Sequence, residues 1–151
     1  MSLKPGEASV RVLKDLEEVV KYYKPTECFR DNVKVECHTL ALQLLEERFS
    51  NADLRICNRR KNVCVDIAKN SKIYVVEVSG AEVYPQVDVG DYVRNSDLLA
   101  YVVTNKGEVR SSRSSLEGYV LLIHEDPLSR PLKCFVVVAR EGVVVSGSRE
   151  S

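Results

Sequence analysis

The chain has 151 residues, 22 Lys and Arg against 22 Asp and Glu, and 44% hydrophobic residues, the composition of a globular protein with room for one ordinary domain or two small ones. A formal net charge of zero argues against a general polyanion binder, because sequence-independent nucleic-acid affinity rests on Lys and Arg neutralising phosphates. The opening residues Met1 to Glu7 are too polar for a signal peptide, and no apolar run approaches the roughly 20 residues that cross a bilayer, so the expectation is a cytoplasmic protein without nucleic-acid or membrane partners.

Between Val10 and Tyr23 the residues Leu13, Leu16, Val20 and Tyr23 recur at helical spacing, which predicts an amphipathic helix ended by Pro25. A short alternating stretch, Val33, Val35 and Cys37, precedes a second helix expected over about residues 38–49, with Leu40, Ala41, Leu44, Leu45 and Phe49 inward and Ser50-Asn51 closing it. A hairpin centred on Arg60-Lys61 comes next. In it Cys57 faces Cys64, Ile56 faces Val65, Leu54 faces Ile67 and Arg55 faces Asp66, giving one apolar face and one face with an ion pair beside two cysteines. Arg59-Arg60-Lys61 reads as a solvated turn.

The five cysteines, Cys28, Cys37, Cys57, Cys64 and Cys134, are odd in number and contain no C-x-x-C pair, so neither a zinc knuckle nor a secreted disulfide framework is indicated. Most read as small buried hydrophobes. Cys57 and Cys64 read first as free thiols, and as a disulfide if the protein is an intracellular one from a hyperthermophile. His38 and His124 lack metal-ligand spacing. His124-Glu125-Asp126, ahead of Pro127, offers acid and base groups that loop polarity explains equally well. With no Walker-type loop, dinucleotide fingerprint or nucleophile elbow, the sequence leans away from an enzyme: no catalytic or metal-binding residues are assigned.

From Lys72 onward the pattern is that of short strands broken by turn chemistry at Ser79-Gly80, Gly90-Asp91 and Asn105-Lys106-Gly107, as in a sandwich or barrel. Val89-Gly90-Asp91-Tyr92-Val93 is echoed by Leu116-Glu117-Gly118-Tyr119-Val120. Asn105-Lys106-Gly107 fits a three-residue hairpin loop, a type I turn on Asn105 and Lys106 with Gly107 in the left-handed bulge position, which aims Lys106 into water. Arg110 and Arg113, with Ser111, Ser112, Ser114 and Ser115, offer guanidinium and hydroxyl groups to a phosphate or carboxylate, or simply a charged, solvated edge strand.

The stretch VGDYVRNSDLLAYVVTNKGEVRSSRSSLEGYV, Val89 to Val120, resembles the biotinyl/lipoyl attachment family, a likeness that with flanking strands covers about half the chain. Gly90-Asp91 matches the family's opening turn, Leu98, Leu99, Tyr101 and Val103 its apolar strand, Lys106 its hairpin-tip lysine and Gly118 the glycine of the return. Sixteen positions separate Gly90 from Lys106, as in lipoyl domains, and twelve separate Lys106 from Gly118, one more than usual there. The nearest likeness is to an uncharacterised archaeal family of lipoyl-like domains, which implies a fold and no activity. Biotin domains carry Met-Lys-Met at the tip, so the flanking Asn105 and Gly107 argue against biotin. Lipoyl domains read Glu-Thr-Asp-Lys-Ala, whereas this chain reads Val103-Thr104-Asn105-Lys106-Gly107 and lacks both acidic residues.

The resulting expectation is an α+β protein: an N-terminal region of two helices and a hairpin over 1–70, an all-β barrel-sandwich hybrid over 71–145, and a disordered tail over 146–151. Its expected role is a non-catalytic lipoyl-like interaction or scaffold module that bears no cofactor and docks unidentified protein partners through the Lys106 hairpin. The alternative is a carrier with lipoyl or another acyl group on Lys106, between Asn105 and Gly107. A third reading is a small anion binder or enzyme using Arg110 and Arg113.

Overall fold

A computed structural model describes residues 26–146. The helix expected between Val10 and Tyr23 and the tail beyond Ser146 lie outside those residues. Within them the chain runs β1 (Thr26–Arg30), β2 (Val33–Val35), α1 (Cys37–Glu47), β3 (Leu54–Asn58), β4 (Val63–Ile67), β5 (Ile73–Gly80), β6 (Glu82–Pro85), β7 (Tyr92–Val93), β8 (Leu98–Val103), β9 (Val109–Arg113), β10 (Gly118–Asp126), β11 (Leu132–Ala139) and β12 (Val143–Ser146). The strands form three antiparallel sheets, ordered β12-β4-β3-β1-β2, β5-β11-β10-β7 and β6-β8-β9.

The α+β class, a helical and hairpin region followed by an all-β barrel-sandwich unit, is therefore incorrect: the described chain is β-rich, with one 11-residue helix. Two features produce the difference. Thr26–Arg30, to which the sequence pattern assigns no element, is strand β1 and pairs β3 in the register Cys28↔Ile56, while of the alternating stretch Val33–Val35 forms β2 and Cys37 opens the helix. The segment after β11 returns as β12 and adds to β4, Val145 opposite Cys64, so the early hairpin sits inside a five-stranded sheet. That hairpin has the register its pattern predicts, Leu54↔Ile67, Arg55↔Asp66, Ile56↔Val65 and Cys57↔Cys64, with Arg55 Nε 2.7 Å from Asp66 Oδ1.

Helix α1 stops two residues short of its expected end. Arg48 adopts a left-handed conformation (φ 63°) and donates its N–H to Leu44 O at 2.9 Å, the usual way a helix closes its last orphan carbonyls. Phe49 then leaves the helix to bridge Lys72 and is exposed. The inward stripe is Leu40, Ala41 and Leu44. It packs with Ile56, Val65 and Ile67 of the five-stranded sheet and with Leu121, Val137 and Ala139 of the four-stranded sheet in one core.

The other face of the four-stranded sheet buries Val120, Val136 and Val138 with Val93 and Leu99, and Val78 and Cys134 with Ala100. Strand β11 is thus covered on both faces, which is why it reads as an unbroken apolar run, Cys134 to Ala139, rather than an alternating one. Among the described residues no helix is long and apolar enough to cross a membrane.

Candidate functional site

Two places merit the description of a site. The first is the β8–β9 hairpin. Its strands stay in register to Val103↔Val109; beyond that pair Thr104 N–H donates to Glu108 O (2.8 Å) and Gly107 N–H to Thr104 O (2.9 Å), while Thr104 Oγ1 accepts from Glu108 N–H (3.2 Å). Gly107 has φ +83° with open space around its α-carbon, a backbone that a side chain would strain without filling any gap. The loop Asn105-Lys106-Gly107 has the type I turn plus bulge that its spacing predicts. Lys106 stands exposed at the tip and, among the described residues, makes no ion pair or side-chain hydrogen bond.

Behind the tip lies an apolar surface. Cross-strand partners share a face of a sheet, so Tyr84, Tyr101 and Ser111 form one outward row and Glu82, Val103 and Val109 the row nearer the loop. Tyr84 is 50% exposed, Tyr101 39% and Val109 66%. The charge of Glu82 holds the Tyr84 phenol above its ordinary pKa, so this face keeps a neutral hydroxyl.

The structure does not bring Arg110 and Arg113 together. They lie three positions apart on β9 and so project to opposite faces; Arg110 Nη2 reaches Glu108 Oε2 (3.2 Å), and Arg113 Nη1 donates to Ser96 O (3.0 Å). The serines beside them divide as well: Ser114 is buried and its hydroxyl donates to Leu116 O at 2.6 Å. The basic turn of the β3–β4 hairpin is engaged too. Arg59 pairs with Glu27 (2.7 Å), and Lys61 pairs with Asp91, while buried Asn58 donates to Val89 O (2.9 Å). The first contact ties that hairpin to β1, and the other two fasten it to the turn at Gly90-Asp91.

The second site is one that the sequence reading missed. Strands β1 and β2, the start of α1 and the far half of β10 enclose a groove of about 740 Å³ lined by residues including Glu27, Cys37, His38, His124 and Glu125. The two histidine rings lie 5.0 Å apart. Burial, and then the proximity of His38, hold His124 below its ordinary pKa, against the opposing charges of Asp126 and Glu125. Glu27 is held low by its hydrogen bond from Lys34 (2.9 Å), assisted by Arg59 and opposed by burial. Among the described residues no group of His, Cys, Asp and Glu is arranged to hold a metal ion.

A disulfide joins Cys37, the first residue of α1, to Cys28 at the centre of β1, and a second joins Cys57 to Cys64. Cys134 alone is a free thiol, buried, with its pKa pushed up to about 11 chiefly by that burial. The free-thiol reading of Cys57 and Cys64, and the buried-hydrophobe reading of Cys28 and Cys37, are thus replaced by two cross-links. The first lacked a sequence signal because its cysteines sit in different kinds of element, one in β1 and one at the start of α1, so no single period relates them.

Residues 6–141 match a family described as an uncharacterized protein conserved in archaea (DUF2118). Over 77 residues the chain is 29% identical to the uncharacterized protein MJ0859 of Methanocaldococcus jannaschii, a match covering 51% of this chain and 47% of that protein. The chain therefore spans about half the length of this curated relative.

Proposed function

Since this chain belongs to the DUF2118 family of proteins conserved in archaea, we propose that it serves there as a non-catalytic, lipoyl-like interaction or scaffold module whose docking element is the Lys106 hairpin; the 71–145 segment expected to stand as its own domain works here together with residues 26–67, with which it shares a core and a sheet. The observation that carries this reading is an exposed Lys106, unpaired among the described residues, at the tip of the hairpin whose strands carry the exposed Tyr101 and Val109. A contiguous apolar patch rimmed by charge is a feature of contact surfaces, and a lysine without an intramolecular partner is free to meet a carboxylate on another protein. The partner that suits it presents an acidic group beside apolar side chains. Arg110 and Arg113, each already engaged, are rim charges in this reading rather than a convergent anion site.

The second reading keeps the same residue and changes its chemistry: Lys106, between Asn105 and Gly107, carries lipoyl or another acyl group. The loop geometry favours it to the extent that a carrier lysine must be reachable by a ligase and its arm must swing between distant sites. Biotin stays disfavoured by the Asn105 and Gly107 flanks. Intact-mass and peptide analysis of the protein isolated from its native source separates the two. The module predicts unmodified Lys106; an adduct mapped to Lys106 supports the carrier and removes the cofactor-free module.

A further inference from the structure

We propose that the Cys28–Cys37 disulfide is a thiol–disulfide exchange site whose co-substrate is a small, positively charged aliphatic thiol, an aminothiol, seated in the groove between β1, α1 and β10. The two sulfurs have unequal access: Cys28 is 0% exposed, whereas Cys37 is half-buried and lines the groove. Attack by an external thiolate is thereby directed to one sulfur, Cys37. A groove of about 740 Å³ falls within the roughly 300–1,000 Å³ of small-ligand pockets. Cys37 is also the first residue of an 11-residue helix, so a thiolate released there lies at the positive end of the helix dipole, the placement found at reactive cysteines.

The charge of the groove selects the thiol. Among the described residues, Glu27, Glu36 and Glu125 line it against one lysine, Lys34, and Lys34 is paired with Glu27 (2.9 Å), which Arg59 also neutralises. Glu36 and Glu125 have no cation within ion-pair distance among the described residues. An ammonium on the incoming thiol gains from these carboxylates and a carboxylate on it is repelled.

The exchange is balanced. The thiolate RS⁻ bonds to Cys37 Sγ, the Cys28–Cys37 bond breaks, and its electron pair leaves on Cys28, which takes up a proton. A second RS⁻ attacks the mixed disulfide at the R sulfur, releasing the Cys37 thiolate and RSSR. The net change is oxidation of two thiols to one disulfide and reduction of the protein disulfide to two thiols. The other cross-link is not offered to this groove, since neither Cys57 nor Cys64 lines it.

The test uses the intact, oxidised chain with cysteamine, 2-mercaptoethanol or thioglycolate at matched thiolate concentration, alkylation at timed intervals, peptide mapping and circular dichroism in parallel. The expected result is labelling of Cys28 and Cys37 roughly tenfold or more ahead of Cys57 and Cys64, with the β signal retained. Cysteamine should outpace thioglycolate by about threefold or more, a ratio that Glu125→Gln narrows. Simultaneous labelling of both pairs, labelling only as the β signal is lost, or Cys57 and Cys64 reacting first would overturn the exchange site. Thioglycolate reacting as fast as cysteamine would overturn the aminothiol assignment.

Discussion

Tyr92 and Tyr119 meet edge to face, ring centroids 4.9 Å apart and planes inclined by 71°. They are the equivalent tyrosines of the two echoed segments, and they are also direct partners, because β7 and β10 pair antiparallel with Tyr119↔Tyr92 and Gly118↔Val93. Gly90 N–H donates to Val120 O and Val120 N–H to Asp91 O, both at 2.8 Å. The echo in the sequence thus marks two segments that bind each other around a local two-fold relationship. An edge-to-face pair contributes about 0.5–1.5 kcal/mol beyond its buried area. A double-mutant cycle on Tyr92→Leu and Tyr119→Leu, read by urea denaturation, should return a coupling energy of that size; a coupling near zero would mean the rings are neighbours without being partners.

Glycine positions separate sharply by environment. A β-carbon on Gly118 would lie 2.5 Å from Ala139 O and 2.8 Å from Val138 Cγ1, so β10 can approach β11 there only without a side chain. Gly118→Ala should lower stability by about 2–4 kcal/mol through forced displacement of the strand. Gly107→Ala meets nothing and pays only for its backbone conformation, about 1 kcal/mol. Equal losses in thermal or chemical denaturation would contradict this distinction.

The cross-links give a counting prediction. Denatured without reductant, the chain should react with a thiol reagent at Cys134 alone; after reduction all five cysteines should react. Native Cys134 should stay unreactive near neutral pH, because burial leaves it a protonated thiol. Replacing Cys57 and Cys64 together by serine reopens a short loop in the unfolded chain and should cost about 2–3 kcal/mol, seen as a lower urea midpoint.

Stability should fall with acid in two windows. His124 has a pKa below its ordinary 6.5 in the folded chain, so as pH falls through about 6.5 the unfolded state takes up its proton first. Stability is full above that value, declines below it, and levels once the folded state is protonated too. Glu27 has a pKa below its ordinary 4.5; its contribution is full above 4.5 and is lost as pH falls through the lowered value. His124→Gln should flatten the first decline and leave the second. Urea midpoints from pH 8 to 3 check this, and an unchanged first decline in the variant would assign it elsewhere.

Local pattern was legible in the sequence where one period governs both the buried and the exposed face. The β3–β4 register followed from alternation plus the Arg55–Asp66 pair, and α1 followed from Leu40, Ala41 and Leu44. The loop around Lys106 followed from Asn-Lys-Gly between β runs. Long-range pairing was not legible. Nothing in Val143–Ser146 says that it joins β4, and Thr26–Arg30 is too short and too mixed to declare itself a central strand, so the class was misjudged. The groove escaped for the same reason: its walls come from residues 26–41 and 122–125, with Val89 between, and each histidine taken alone resembles an ordinary loop or helix residue.

The central claim, that the Lys106 hairpin is the contact element, is tested most directly by a photo-cross-linking amino acid in place of Asn105, with Lys106 retained, in protein expressed in its native host. Irradiation should give a discrete adduct with another protein. That adduct should be lost when Lys106→Ala is added and absent when the cross-linker replaces the exposed Lys69 instead. No adduct at position 105 beyond that seen at position 69, or an adduct indifferent to Lys106→Ala, would contradict it.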